Sequence, residues 1–195
     1  MEPVRSFIAI ELSGEFKKLL SDFQSGLKTG QHAPVKWTDP YGIHLTLKFL
    51  GNISPDRISE ITVVMADAAG DTPAFYLEAG EPGAFPNLKR VQVIWVGIGG
   101  DTASVGKLQR NLEERLAPLG FPPETRPFRP HLTVARVRDQ ASAAERYRLG
   151  ELIAASRLTA PCSFRVANIC LMKSQLTREG AVYSRISLVE LAENL

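Results

Sequence analysis

The residues best suited to chemistry are two histidines, His44 and His131, which each begin the tripeptide His-Leu-Thr. Each lies in a run of apolar and β-branched residues, the pattern of a strand. Strand positions i and i+2 share a face, so each histidine should lie beside its own threonine, Thr46 or Thr133. The chain has three histidines, and a given histidine would begin this pattern by chance on the order of 1% of the time. The repetition favours an internal duplication or a two-fold active site.

Two imidazoles that face one cleft are suited to general acid–base catalysis near neutral pH, because unperturbed histidine titrates at about 6.5. One can accept a proton from water while the other donates a proton to a leaving oxygen, as in-line cleavage of a P–O bond requires. The threonine hydroxyls can donate to non-bridging phosphate oxygens as their negative charge builds. No cluster of Asp and Glu accompanies either motif, which argues against a metal site. The alternative, for each histidine taken singly, is a structural role in its strand.

The segment around the second motif is locally basic. Four arginines and no acidic residue occur from Arg126 to Arg138. This predicts a local anion site, with a solvated basic edge strand as the alternative. The formal net charge of +2 is too small to predict strong attraction of the whole protein to nucleic acid.

The composition is that of a globular protein, with 44% hydrophobic and 23% charged residues in 195. Cys162 and Cys170 have neither C-x-x-C spacing nor a histidine cluster beside them, so zinc or redox chemistry is not expected. Reduced thiols and the lack of a signal-peptide pattern predict a cytoplasmic protein. No apolar run approaches the roughly 18 residues of a membrane span. Nothing indicates an oligomer interface, so a monomer is expected.

The spacing of apolar residues predicts alternating strands and helices. A helix is expected where Phe16, Leu19, Leu20, Phe23 and Leu27 form one stripe. Strict alternation over 43–50 would place the odd-numbered residues, Phe49 among them, in the core, and the even-numbered residues in a groove or solvent.

The order of elements suggests two similar halves, and we expect two closely packed lobes whose histidine strands face each other. Between these strands, residues 80–86 are expected to form an irregular turn after a strand that ends at Ala79. Near the C-terminus, Ser163 to Met172 is expected to be one strand.

At the two motifs the chain resembles the two-histidine phosphoesterases, which carry paired H-x-[ST]-x motifs. Within them it resembles the RNA 2′,3′-cyclic phosphodiesterases, long called 2′–5′ RNA ligases. The resemblance spans nearly the whole chain. It rests on residues 7–12, on Trp37 before the 44–51 motif, on 91–96, on the 128–136 motif, and on Ser174 and Tyr183.

The resemblance implies an α+β fold, a single bilobal domain over residues 1–195 with two pseudo-symmetric lobes. Antiparallel sheets would surround a central cleft, with the helices outside. It also implies hydrolysis of terminal RNA 2′,3′-cyclic phosphate to a 2′-phosphate without a metal or cofactor. His44 would be the proton donor and His131 the proton acceptor, although a pseudo-symmetric pair can exchange these roles. Thr46 and Thr133 would contact the phosphate. The expected substrate-binding residues are Arg136, Arg129, Phe7, Phe49 and Tyr41.

Simple alternation points Arg136 away from the face of His131, so its place in the site requires a β-bulge or the end of the strand. The same site could run in reverse and join a 5′-hydroxyl end to a cyclic phosphate, which would make a 2′–5′ RNA ligase. Small nucleotide cyclic phosphates are an alternative substrate. An RNA-binding module with a vestigial site is the alternative outside the enzymes.

Overall fold

The computed structural model describes residues 2–177 and 180–193. Within these residues the chain forms nine strands and four α-helices, in the order β1 α1 β2 β3 α2 β4 β5 α3 β6 α4 β7 β8 β9. The strands are β1 Val4–Glu11, β2 Val35–Trp37, β3 His44–Ile53, β4 Phe75–Phe85, β5 Val93–Gly100, β6 His131–Val137, β7 Ser163–Val166, β8 Asn168–Leu176 and β9 Ala181–Glu190. The helices are α1 Gly14–Gly30, α2 Ile58–Gly70, α3 Thr102–Leu116 and α4 Ala143–Ala155.

The strands form two antiparallel sheets, which confirms the α+β prediction. The first sheet has the order β3-β1-β8-β9 and the second the order β2-β6-β5-β4-β7. Each sheet holds one histidine strand. The sheets are not the two halves of the sequence, however, because β8 and β9 complete the sheet of β1 and β3, while β2 and β4 join the sheet of β6. Pairing between distant strands overrides the apparent repeat in chain order.

The helices cover one side of each sheet. Helix α2 packs on β8 and β9 and against α3, which in turn packs on β3, whereas α4 packs on β4 and against α1. A single apolar cluster includes residues from both sheets and all four helices. The stripe predicted for the first helix is confirmed: its five apolar side chains are all buried, and the Ser13 hydroxyl accepts a hydrogen bond from the Phe16 N–H at the helix start.

Two predictions about strand limits are wrong. The expected turn at residues 80–86 is largely strand, because β4 continues to Phe85 through a bulge between Ala79 and Pro82, where proline can be accommodated. The expected strand from Ser163 to Met172 is two strands that lie in different sheets. Cys162 lies just before β7 of the second sheet and Cys170 lies in β8 of the first, and both are free thiols in the part of the chain that the structure describes.

Of the helices in the described ranges, none is long and apolar enough to cross a membrane.

Candidate active site

The two histidine strands have the same local structure. Strands β3 and β6 contact each other, and each begins with its histidine. Over the first seven residues of both strands the same positions are buried: the second, fourth, fifth and seventh. In both strands the sixth residue is exposed, and the histidine and threonine are half-buried. Strict alternation would expose the fifth residue and bury the sixth, so both strands must change phase after the threonine.

A β-bulge in β3 causes the change of phase. Ala9 pairs with Thr46 and Ile8 pairs with Lys48, so Leu47 is the extra residue. The bulge turns Lys48 into the core, where it is 5% exposed. It turns Phe49 onto the face of His44, where the ring is 72% exposed. The alternation prediction is therefore wrong for both residues.

The equivalent bulge occurs in β6. Trp95 pairs with Thr133 and Ile94 pairs with Ala135, so Val134 is the extra residue. Its carbonyl oxygen accepts hydrogen bonds from the Thr38 N–H and from the buried Gln24 amide of α1. The bulge brings Arg136 onto the face of His131, contrary to simple alternation.

Both imidazoles are oriented in the same way. Nδ1 of His44 lies 2.9 Å from the Gly42 carbonyl oxygen, and Nδ1 of His131 lies 2.7 Å from the Arg129 carbonyl oxygen. A carbonyl oxygen only accepts hydrogen bonds, so Nδ1 carries the proton in each ring. In the neutral form, Nε2 is then left as the basic nitrogen. Each ring is thus prepared to exchange a proton through Nε2.

His44 lies among aromatic rings of the first sheet. Its ring stacks on Phe7 at 4.5 Å between centroids, and Tyr183 meets it edge-on at 4.8 Å. Burial lowers the pKa of His44 below its ordinary value, the hydrogen bond to Gly42 and the charge of Glu11 act to raise it, and the charge of Lys17 lowers it. The free protein therefore favours a neutral His44 at pH 7.

His131 lies among aromatic rings of the second sheet. Phe85 meets it edge-on at 5.0 Å, and Trp95 lies 6.5 Å away. The residue opposite His131 on the neighbouring strand is Gly97, whereas the residue opposite His44 is Glu11. The two halves of the site thus have the same backbone conformation but differ in charge, because only the first histidine has a carboxylate opposite it on the neighbouring strand.

Glu11 is held in place by two partners. Arg185 donates to its carboxylate through Nε at 2.9 Å and through Nη2 at 2.6 Å, and the Cys170 thiol donates to it at 3.3 Å. Burial raises the pKa of Cys170 to about 12, and the hydrogen bond to Glu11 adds to this effect. The thiol is therefore protonated and unreactive, and acts here as a hydrogen-bond donor.

Sequence comparison identifies the family. The family model described as "2'-5' RNA ligase superfamily" matches residues 42–178, which include both histidine motifs. The chain belongs to the 2′-5′ RNA ligase superfamily.

Two relatives in this superfamily are similar over most of their length. An RNA 2′,3′-cyclic phosphodiesterase of Methanothermobacter thermautotrophicus is 32% identical over 188 residues, which cover 96% of this chain and 99% of the relative. An RNA 2′,3′-cyclic phosphodiesterase of Aeropyrum pernix is 32% identical over 161 residues, which cover 83% and 89%.

Solved structures of similar fold support the architecture. The Thermus thermophilus protein TT0787 aligns with a TM-score of 0.77 at 23% identity, and E. coli LigT in complex with 3′-AMP aligns with a TM-score of 0.76 at 24% identity. Each alignment covers 98% of this chain and 100% of the other. At these identities the likeness shows the fold, an α+β arrangement of two antiparallel sheets with helices packed on them.

The five residues predicted to bind substrate differ in their exposure and in their position in the fold. Phe7 is 3% exposed and supports His44 through its stacked ring. Phe49 lies 6.2 Å from Phe7 and is exposed. Tyr41 is 78% exposed in the turn before β3. Arg136 and Arg129 are exposed, at the end of β6 and just before it.

Sequence analysis missed several side chains of this region. Trp95 and Phe85 fall in a predicted strand and a predicted turn, and neither segment carries a signal for a site. Glu11 and Arg185 meet through pairing of distant strands, which no local pattern reveals. Glu113, which bonds to Lys48, had a detectable signal: together with Gln109 it lies on the leucine stripe of α3. Polar residues at apolar spacing indicate a buried polar contact.

Gly83 supports the position of Trp95, so Gly83→Ala is expected to destabilise the protein by roughly 1–3 kcal/mol, the usual cost of overpacking. A Cβ at this position would overlap Cζ2 and Cη2 of the indole. Urea unfolding followed by tryptophan fluorescence measures the effect. Gly99→Ala is the control, because its Cβ would lie at an ordinary 3.9 Å from Glu78. Equal stabilities of the two variants would contradict the prediction.

Proposed function

We propose that this protein hydrolyses terminal RNA 2′,3′-cyclic phosphates to 2′-phosphates by acid–base catalysis with His44 and His131. The observation that carries the proposal is the repeated geometry of the two imidazoles, each with Nδ1–H bound to a carbonyl oxygen and Nε2 left for proton exchange. The names of the relatives in the 2′-5′ RNA ligase superfamily support the same substrate class.

In the proposed reaction, the two histidines act on opposite sides of the phosphorus. Nε2 of His131 accepts a proton from the attacking water, whose oxygen forms the new bond to phosphorus. The bond from phosphorus to the 3′-oxygen breaks, and Nε2 of His44 donates a proton to that oxygen. The product is a 2′-phosphate with a 3′-hydroxyl, and the histidines return to their starting forms by proton exchange with solvent.

Three other side chains would stabilise the charge on the phosphate, and a fourth would act through His44. Thr46 and Thr133 share the faces of the two histidines, and their hydroxyls can donate to the non-bridging oxygens. Arg136 is exposed at the sixth position of β6, after the bulge, and its guanidinium would bind phosphate oxygens in pairs. Glu11 favours the charged form of His44, which supports the donor role for that histidine. A bound phosphodiester anion would favour it further.

The decisive experiment incubates the protein, with EDTA present, with a short RNA that ends in a 2′,3′-cyclic phosphate. We expect a 2′-phosphate, identified by ³¹P NMR of the isolated product. An RNA that ends in a 3′-phosphate is the control and should not change. A 3′-phosphate product, or an intact cyclic phosphate in both RNA and mononucleotide substrates, would contradict the proposal.

The reverse reaction is the second candidate, because the superfamily is described by its 2′-5′ RNA ligase activity. Microscopic reversibility lets one site attach a 5′-hydroxyl end in place of water. Adding an RNA with a 5′-hydroxyl end to the same assay tests it, and a joined product with a 2′–5′ linkage would establish ligation. If only hydrolysis is seen at high concentrations of RNA ends, ligation is excluded and the hydrolase activity is the function.

Glu11→Gln tests whether the Glu11 charge sets the protonation of His44 during turnover. The variant removes a charge that raises the pKa of His44 and leaves Arg185 without its counter-charge, so that pKa falls further. The pH profile of kcat/KM reports the pKa values of the catalytic acid and base in the free enzyme. We therefore expect the limb that reports His44 to move to lower pH while the other limb stays in place. Glu190→Gln, an exposed carboxylate of β9, is the control. A profile in which neither limb moves would contradict the prediction.

Phe49 would stack on the base next to the cyclic phosphate; its exposed ring, 6.2 Å from Phe7, supports this role. Stacking on an aromatic side chain contributes roughly 1–3 kcal/mol per base. Phe49→Ala is expected to raise KM for RNA by about that free energy, with a smaller effect on kcat. Tyr147→Ala removes an exposed ring of α4 and is the control. Unchanged KM values for RNA in the Phe49 variant would exclude stacking there.

A further inference from the structure

Lys48 is a charged residue in the core, four positions after His44 in the same strand. The bulge at Leu47 turns its side chain away from the cleft and leaves it 5% exposed. A lysine at such a site requires a counter-charge and further hydrogen bonds, because an unpaired buried charge is costly. The equivalent residue after the bulge in β6 is Ala135, so only the first of the two related strands carries this charge.

The partners of Lys48 come from two other segments. Its ammonium group forms an ion pair with the Glu113 carboxylate of α3 and donates to the Pro122 carbonyl oxygen at 2.9 Å. The same carboxylate accepts hydrogen bonds from the Gln109 amide at 2.9 Å and from the Glu124 N–H at 3.2 Å. The pair thus connects the strand of His44, helix α3 and the segment after α3.

The segment after α3 leads directly to the second histidine. Residues 122–130 lie between the end of α3 and the start of β6, and Arg129 in this segment supplies the carbonyl oxygen that orients His131. Among the described residues, apart from the Arg129 bond to His131 itself, the hydrogen bonds from the backbone of 122–130 to other elements are those of Pro122 and Glu124, both to the Lys48–Glu113 pair. Proline residues stiffen the chain between these contacts and His131.

We propose that Lys48 and Glu113 are a positioning pair that fixes the orientation of His131 relative to His44. Through Lys48, the strand of His44 anchors residues 122–130, the segment that leads to His131. The orientation of His131 therefore depends on the position of the His44 strand. This inference rests on the proposed role of both histidines in catalysis. Misplacement of a catalytic group by about 1 Å can lower a rate on the order of 100-fold, so a remote clamp of this kind can affect turnover.

The test uses the double variant Lys48→Met/Glu113→Leu, which replaces both charges with apolar side chains of similar size. Replacing both members of a buried pair commonly preserves stability, whereas removing one does not. We expect the double variant to unfold at a temperature close to that of the parent. We expect its kcat for RNA 2′,3′-cyclic phosphate to fall on the order of 10- to 100-fold, with a smaller change in KM.

The second readout is the ¹⁵N NMR spectrum of the histidine rings, which does not depend on turnover. In the parent, both neutral imidazoles should carry their proton on Nδ1. In the double variant, only His44 should keep this single tautomer. Arg115→Met is the control, because Arg115 also lies on α3 in ion pairs but joins it to Asp67 of α2 and to Asp71, the residue that follows α2.

The outcomes separate the positioning role from the proposed function. A folded double variant with unchanged kcat and an unchanged His131 spectrum would overturn the positioning role. A parent without cyclic phosphodiesterase activity would contradict the proposed function, while the NMR comparison would still decide whether the pair orients His131.

Discussion

His131→Ala is expected to lower kcat for the cyclic phosphate by roughly 10²–10⁴-fold, the usual contribution of a general acid or base. Alanine removes the nitrogen that we propose accepts the proton of the attacking water, and the neighbouring rings, Phe85 and Trp95, cannot replace it. His44→Ala should cause a similar loss on the same substrate. His32→Ala is the matched control, because His32 is exposed in the loop between α1 and β2.

A second substrate distinguishes the two histidines. In a phosphodiester with a nitrophenol leaving group, the nitrophenolate departs without a proton. Cleavage of this substrate therefore does not need a general acid. We expect His44→Ala to retain most of the parent's rate on such a substrate, whereas His131→Ala should lose activity on both. The opposite result would exchange the roles of the two histidines. Parent-like turnover of the cyclic phosphate by both variants would contradict the two-histidine mechanism.

Glu113→Leu alone is expected to destabilise the fold by roughly 3–5 kcal/mol, the usual result of removing one partner from a buried ion pair. The ammonium group of Lys48 would remain in the core with the Pro122 carbonyl oxygen as its remaining partner. The Glu124 N–H and the Gln109 amide would also lose their acceptor. Urea unfolding measures the loss as a lower midpoint at an unchanged m-value.

The double variant Lys48→Met/Glu113→Leu provides the comparison. It should recover most of the stability that Glu113→Leu loses, because no charge then remains in the core. Arg115→Met removes two partly exposed ion pairs from the same helix, each of which should contribute only about 0–1 kcal/mol. A single Glu113 variant as stable as the parent would mean that the Lys48 charge reaches solvent.

Much of the site could be predicted from sequence because its signal is local. The paired His-Leu-Thr motifs predict which face of each strand carries the histidine and threonine, and the strands observed from His44 and His131 agree. The resemblance to a family added the α+β fold, which the comparisons confirm. The stripe of α1 was likewise readable from its spacing alone.

The remainder depends on contacts that no local pattern contains. Alternation failed at Phe49 and Arg136 because a bulge depends on pairing with a neighbouring strand, on β1 in one case and β5 in the other. The chain order suggested two halves, but β8 and β9 pair across to the first sheet. The Glu11–Arg185 and Lys48–Glu113 pairs join residues far apart in the chain, so their partners are visible only in the fold.

The bulge in β3 also affects how the protein avoids aggregation. Strand β3 is an edge strand, and an edge strand with unpaired backbone groups can recruit strands of other molecules. Two register shifts against β1 and the positive φ of 73° at Gly51 interrupt the regular edge that such pairing needs. The distortion that exposes Phe49 next to Phe7 therefore also protects the exposed edge during folding. Variants that straighten this strand should be tested for solubility as well as for activity.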